Sequence, residues 1–114
     1  MSVAVPKTAY VRDQRLRDMC RAMHCQWCLA NGPGVTWAHS NQHQHGKGRS
    51  IKASDIYVAA LCDTCHRRVD QGSESSDIRR TIWQTAHERT VILALQISAW
   101  PRDVPLPGWA ESWR

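Results

Sequence analysis

Apolar positions along the chain switch between helical spacing and short dense runs, and the switches divide it into elements. Residues 11–23 place Leu16, Met19, Cys20 and Met23 at roughly helical spacing with arginines on the other side, which predicts an N-terminal helix after a loose arm over 1–10. Asn31, Gly32, Pro33 and Gly34 signal a turn. The run 35–39 reads as a short strand, and 40–54 as a polar, glycine-bearing loop free of acidic residues. A second, more apolar strand is expected over 55–61, then a short helix from His66 to about Gln71, stopped by Gly72. Ser76 or Asp77 can cap a long helix over 78–99, whose apolar positions are Ile78, Ile82, Ala86, Leu93 and Ile97. Pro101, Pro105 and Pro107 predict an extended tail over 100–114 carrying Trp100, Trp109 and Trp113.

This order of elements fits one α+β domain spanning 1–114, with its centre at 20–72. A chain of 114 residues leaves little room for a second domain. It contains no Phe, so its core is small and a metal or covalent staple is expected. Lys and Arg number 15 against 10 acidic residues, a net charge of +5, which favours polyanionic partners, nucleic acid first among them.

Cysteine usage sharpens the picture. Five cysteines, an odd number, argue against a closed disulfide framework. The N-terminal residues lack an apolar signal-peptide core and no run is long enough to span a bilayer, so a cytoplasmic protein without a membrane role is expected. Cys25-x2-Cys28 and Cys62-x2-Cys65 then supply four thiolates, a donor set that closes a tetrahedron around Zn²⁺ and leaves no open position. Such a site is structural. Cys20 and His24 are alternative ligands. The string from Cys62 to His66 also fits a haem-attachment pattern, which would leave the first cysteine pair unexplained.

Two knuckles closing on one ion would bring the end of the 35–39 strand beside the second strand and the helix that follows. His39 ends the first strand. His66 opens the short helix, and Asp70 follows four residues later on the same helix face, a spacing that can hold a divalent cation. Lys47, Arg49 and Lys52 in the loop after His39, and Arg67 beside His66, are placed to meet phosphates, with Gly46 and Gly48 allowing close backbone approach. His43 and His45 read as solvated loop residues and His87 as a structural histidine within the long helix. The tail tryptophans could stack on bases, but packing of the tail onto the body is preferred.

The first knuckle, the stretch Trp37-Ala38-His39-Ser40-Asn41, the loop Gly46-Lys47-Gly48-Arg49, the run from Asp55 to Cys62 and the Cys65-His66 helix start together resemble the HNH (ββα-metal) nuclease superfamily. The likeness is greatest to compact prophage-encoded nucleases of the YbcO and Ref kind, and covers roughly half the chain. The resemblance implies a small zinc-stapled ββα-metal core with an N-terminal helix and a long C-terminal helix. It also implies a metal-dependent endonuclease acting on nucleic acid, DNA by expectation, in phage-type recombination or repair. His39 would be the general base and His66 a ligand of a catalytic Mg²⁺ or Mn²⁺. Asp70 would be its second ligand, with Asp55 a further ligand or the orienter of His39. Two positions depart from the family pattern: Ala38 stands where an Asp often ligates metal, and Tyr57 where an Asn is usual. They favour the rival reading, a non-catalytic zinc module that binds nucleic acid or protein. A third reading, dimerisation through the long helix, requires Ile82, Leu93 and Ile97 to be exposed.

Overall fold

The computed structural model describes residues 11–30, 34–41 and 54–113. Helix α1 (Gln14–Arg21) leads to strand β1 (Val35–His39), strand β2 (Val58–Cys62), helix α2 (Asp63–Gln71) and helix α3 (Ser76–Gln96), and the chain closes in a 3-10 helix over Gly108–Trp113. The result is a small α+β fold around a two-stranded antiparallel sheet, in which Val35 faces Cys62, Trp37 faces Ala60 and His39 faces Val58. The arm at 1–10 and most of the 40–54 loop lie outside the described residues.

Strand alternation sorts the sheet into two faces. Val35, Val58 and Ala60 pack with Leu16, Met19 and Cys20 of α1, with Val91 and Ala94 of α3, and with Trp100, Val104 and Leu106 of the tail. Ala38, Ala59 and Leu61 point the other way and pack with Cys65 and Val69 of α2 and Ile82, Trp83 and Ala86 of α3. Two small cores therefore share one sheet, and α3 closes both.

The outer edge of β2 is covered rather than left open to another chain. Thr90 Oγ1 accepts from the Ala60 N–H at 3.0 Å while donating to Ala86 O. His87 Nδ1 lies 2.7 Å from Val58 O, and the Gln26 N–H donates to Ala60 O at 2.8 Å. A carbonyl only accepts, so His87 carries its hydrogen on Nδ1, and its Nε2 accepts from Trp109 Nε1 at 3.0 Å.

Several element boundaries differ from expectation, each for a local reason. The N-terminal helix is shorter than 11–23 because the Asp13 carboxylate caps it by accepting from Arg15 N–H, and Ala22 ends it. Residues 55–57 form a turn closed by Tyr57 N–H to Ser54 O, so β2 begins at Val58 and not at Asp55. Helix α2 begins at Asp63 and not at His66, because the Cys62 sulfur caps it by accepting from Cys65 N–H. Ser75, not Ser76 or Asp77, caps α3. Gly72 does end α2, and a Cβ there would collide with the Arg68 carbonyl.

Along α3 the buried positions run Ile82, Trp83, Ala86, His87, Thr90, Val91 and Ala94. Ile78 and Ile97, counted as stripe positions from sequence, are exposed at the two ends. Of the three positions that the dimerisation reading named, Ile82 is buried, Leu93 half-buried and Ile97 exposed. The tail is not extended throughout: its last turns are 3-10, Trp100 is buried, and Trp109 is anchored on His87. Among the described residues, no helix is long and apolar enough to cross a membrane.

Candidate metal centre and histidine–carboxylate pairs

The sulfurs of Cys25, Cys28, Cys62 and Cys65 all lie within 4.8 Å of one another. Four sulfurs at about 2.3 Å from one ion sit about 3.8 Å apart in a tetrahedron, and Cys28 Sγ and Cys62 Sγ are 3.7 Å apart. The four cysteines could thus hold a metal ion such as zinc. The first knuckle turns through Leu29, whose φ of 66° is in the left-handed region, and Leu29 N–H donates to Cys25 O. The second knuckle is the β2–α2 junction itself. In each, the N–H of the second cysteine donates to the sulfur of the first at 3.5 Å.

Electrostatics within the cluster point the same way. Burial opposes ionisation of Cys25, but the backbone N–H groups of Cys28, Cys62 and Trp27 outweigh it and bring the thiol down to about 7. Burial, then the neighbouring Cys62 thiol, pushes Cys65 up. The Cys25 thiolate is favoured while that of Cys65 is resisted, a conflict that a bound cation relieves. Cys20 and His24 stand outside this group. Cys20 is fully buried in the α1 core, and burial, then the Asp55 charge, pushes its thiol up to about 12.

His39 ends β1 on the α1 side of the sheet, the side shared by Val35 and Trp37. Its Nε2 lies 2.6 Å from Asp55 Oδ1, and Asp55 is 1% exposed. Asp55 Oδ2 accepts from the Asp13 N–H at 2.7 Å, and Arg12 donates to Oδ1 at 3.2 Å. Burial raises the carboxyl, but His39, the Asp13 N–H and Arg12 together hold it below the usual carboxylate range. An ionised carboxylate only accepts, so His39 donates through Nε2–H, which makes Nδ1 the nitrogen left to act as a base.

His66 and Asp70 occupy successive turns of α2, on the opposite side of the sheet, with His66 Nε2 3.1 Å from Asp70 Oδ2. Asn41, two residues beyond His39, donates to Asp70 Oδ1 at 3.1 Å. Helix α2 therefore folds back to the end of β1, and the two pairs flank the segment 39–41 from its two sides. Strand parity sends the His39 side chain to the α1 side of the sheet, where Asp55 meets it. Among the described residues, only the four cysteines form a group of three or more potential metal ligands.

Ala38 is fully buried on the α2 side, and Trp83 Nε1 donates to its carbonyl at 2.8 Å. The strand thus offers no ligating side chain there. Arg67 is exposed and lies 3.6 Å from Asp63 on the outside of α2. Lys47, Arg49 and Lys52, with His43, His45, Gly46 and Gly48, lie outside the described residues. Sequence reasoning missed Arg12, Arg17 and Asn41. Of these only Asn41 carried a local signal, two residues beyond His39.

No family model matches the chain, and neither the curated proteins nor the solved structures include a significant match.

Proposed function

We propose that the chain is a metal-dependent endonuclease that hydrolyses phosphodiester bonds in nucleic acid, DNA by preference. The observation that carries this reading is the His39–Asp55 pair: a partly accessible imidazole held at 2.6 Å by a buried carboxylate that is kept ionised. Fixing Nε2–H leaves Nδ1 to take a proton from a water molecule as it attacks phosphorus. Asp55 holds the ring in that tautomer and favours the imidazolium formed, and so acts as a positioning residue rather than as a metal ligand.

His66 and Asp70 supply two donor atoms, few for a closed site. Mg²⁺ and Mn²⁺ accept such a set because they keep waters and bind substrate oxygens directly. A cation held there would neutralise phosphate charge and stabilise the leaving oxygen. The four cysteines would hold Zn²⁺ as a structural ion, joining the α1–β1 connection to the start of α2. A phosphodiester laid over residues 39–41 would meet His39 on one side and the His66–Asp70 pair on the other.

One observation favours a second reading. Buried Ala38 leaves β1 without the metal ligand common in HNH sites, which suits a zinc module that binds nucleic acid without cutting it. Plasmid nicking with Mg²⁺ or Mn²⁺ separates the two. The wild type should cut, and His39→Ala should abolish cutting while leaving the fold and tightly bound zinc intact. Equal cutting by both proteins removes His39 from the mechanism, and binding without cutting by the wild type favours the second reading.

A further inference from the structure

Arg17 pairs loosely with the buried Asp55 carboxylate without a hydrogen bond. Its Nε is buried and has no hydrogen-bond partner. Asp55 Oδ2 is 3.6 Å from it, within ion-pair range but beyond hydrogen-bond range. That carboxylate is already bonded by His39, Arg12 and the Asp13 N–H. The ion pair with Asp55 leaves Arg17 Nε without a hydrogen-bond acceptor.

Its surroundings do point to a ligand class. The guanidinium lies 5.8 Å from the Trp37 ring centroid, and Arg21 covers the same ring at 4.5 Å. The Arg17 side chain is 29% exposed, so its fork is not sealed in. It shares one carboxylate with the proposed base, Arg17 approaching Oδ2 while His39 holds Oδ1. A guanidinium fixed by an aromatic face, with donors left over, suits bidentate recognition of a phosphate.

We propose that Arg17 binds a backbone phosphate of the nucleic acid beside His39, so that α1 contributes to the nucleic-acid interface. This rests on the nuclease reading for the identity of the neighbouring base, but it concerns binding and is tested without cleavage. The probe is a labelled duplex DNA oligonucleotide, titrated by fluorescence anisotropy over a series of NaCl concentrations with the full zinc-loaded chain in a His39→Ala background. Adding Arg17→Gln should weaken binding and lower the slope of log K against log salt by about 0.9, one phosphate's worth of released counterions. Arg17→Lys keeps the charge and should restore the slope. Arg102→Gln, on the exposed tail, should leave it unchanged. A purely structural Arg17 would lower the melting temperature without moving the slope, and that result overturns the proposal, as does absence of any binding. If the wild type binds with the Arg17-dependent slope but never cuts, the nuclease reading fails and this one stands. If it cuts and Arg17→Gln leaves the slope unmoved, the reverse holds.

Discussion

His39 and Asp55 are sixteen residues apart in the chain, yet Nε2 of one lies 2.6 Å from Oδ1 of the other. The contact depends on the turn at 54–57, which sets Asp55 just ahead of Val58, the cross-strand partner of His39. It depends equally on the segment before α1, where the Asp13 N–H and Arg12 hold the carboxylate in place. Replacing Asp55 with Asn should therefore do two things. Cutting should fall by about 10²–10⁴-fold, the usual contribution of a correctly poised base. Stability should fall by about 2 kcal/mol, because charged hydrogen bonds to a buried group are lost. Initial nicking rates and urea unfolding measure the two effects, and an Asp55→Asn protein with wild-type nicking would remove Asp55 from the positioning of His39.

The same carboxylate sets an acid limit on the fold. Its folded-state pKa is depressed, so its stabilisation is fully present above the unfolded carboxylate value near about 4 and disappears as pH falls through the lower folded value. Wild type should lose stability between about pH 5 and the acid limit of that titration, and Asp55→Asn should lose less over the same interval. Unfolding midpoints measured across this range, at constant ionic strength, test the sign. A steeper acid loss in Asp55→Asn than in wild type would contradict it.

Legibility from sequence follows the range of the interactions involved. The cysteine knuckles were legible because two-residue spacing alone places both sulfurs within reach of one ion, and the cluster bears that out. The two short strands and their connection to α2 were legible to within a few residues. Asp55 was read as a candidate, but its bonds to Arg12 and the Asp13 N–H span 43 and 42 residues and leave no local trace. The start of α2 was misplaced because a thiol serves as its cap, which propensity does not anticipate. Ile78 and Ile97 were assigned to the buried stripe because a four-residue step drifts around a helix with 3.6 residues per turn. The partner of His39 is set by strand parity, which decides the face a side chain leaves by and is not visible in chain proximity.

Metal removal should unfold the molecule rather than merely inactivate it. Each of the two cores is small, and the cysteine cluster ties the α1–β1 connection to the β2–α2 junction. A four-thiolate zinc site contributes on the order of 10 kcal/mol to folding. Chelation, or Cys28→Ser, should therefore abolish the cooperative thermal transition. Cys62→Ser should be at least as severe, since this sulfur also caps α2. Cys20→Ser should retain the metal. Zinc content by elemental analysis, paired with calorimetry, checks each variant, and a metal-free protein with an unchanged melting temperature would rule out a structural ion.

The tail contact offers a control that separates stability from activity. Trp109→Phe keeps the ring against His87 and Trp113 but deletes the hydrogen bond to His87 Nε2. The expected loss is about 1 kcal/mol, the net value of one such bond. His87 also bonds the carbonyl of Val58, the cross-strand partner of His39, but the deleted bond is made to the tail, so nicking per folded molecule should not change. A lower specific rate with an unaltered melting temperature would instead give Trp109 a direct part in handling substrate.

The His66–Asp70 pair tests whether there are two metal functions or one. The cysteine cluster and this pair both draw on α2, yet they use different residues: Cys65 with its knuckle partners on one hand, His66 and Asp70 with Asn41 on the other. If the pair holds a catalytic cation, Asp70→Ala should reduce cutting by at least about 10²-fold, because charge stabilisation at phosphorus is worth several kcal/mol. It should leave one zinc per chain and a melting temperature close to wild type, since the Asp70 side chain is 38% exposed and surface pairs contribute little. Raising the Mn²⁺ concentration should partly restore cutting in Asn41→Ala, which loosens the carboxylate without removing it, and should not restore it in Asp70→Ala. Full activity in Asp70→Ala would leave the cysteine-bound ion as the only metal with a role.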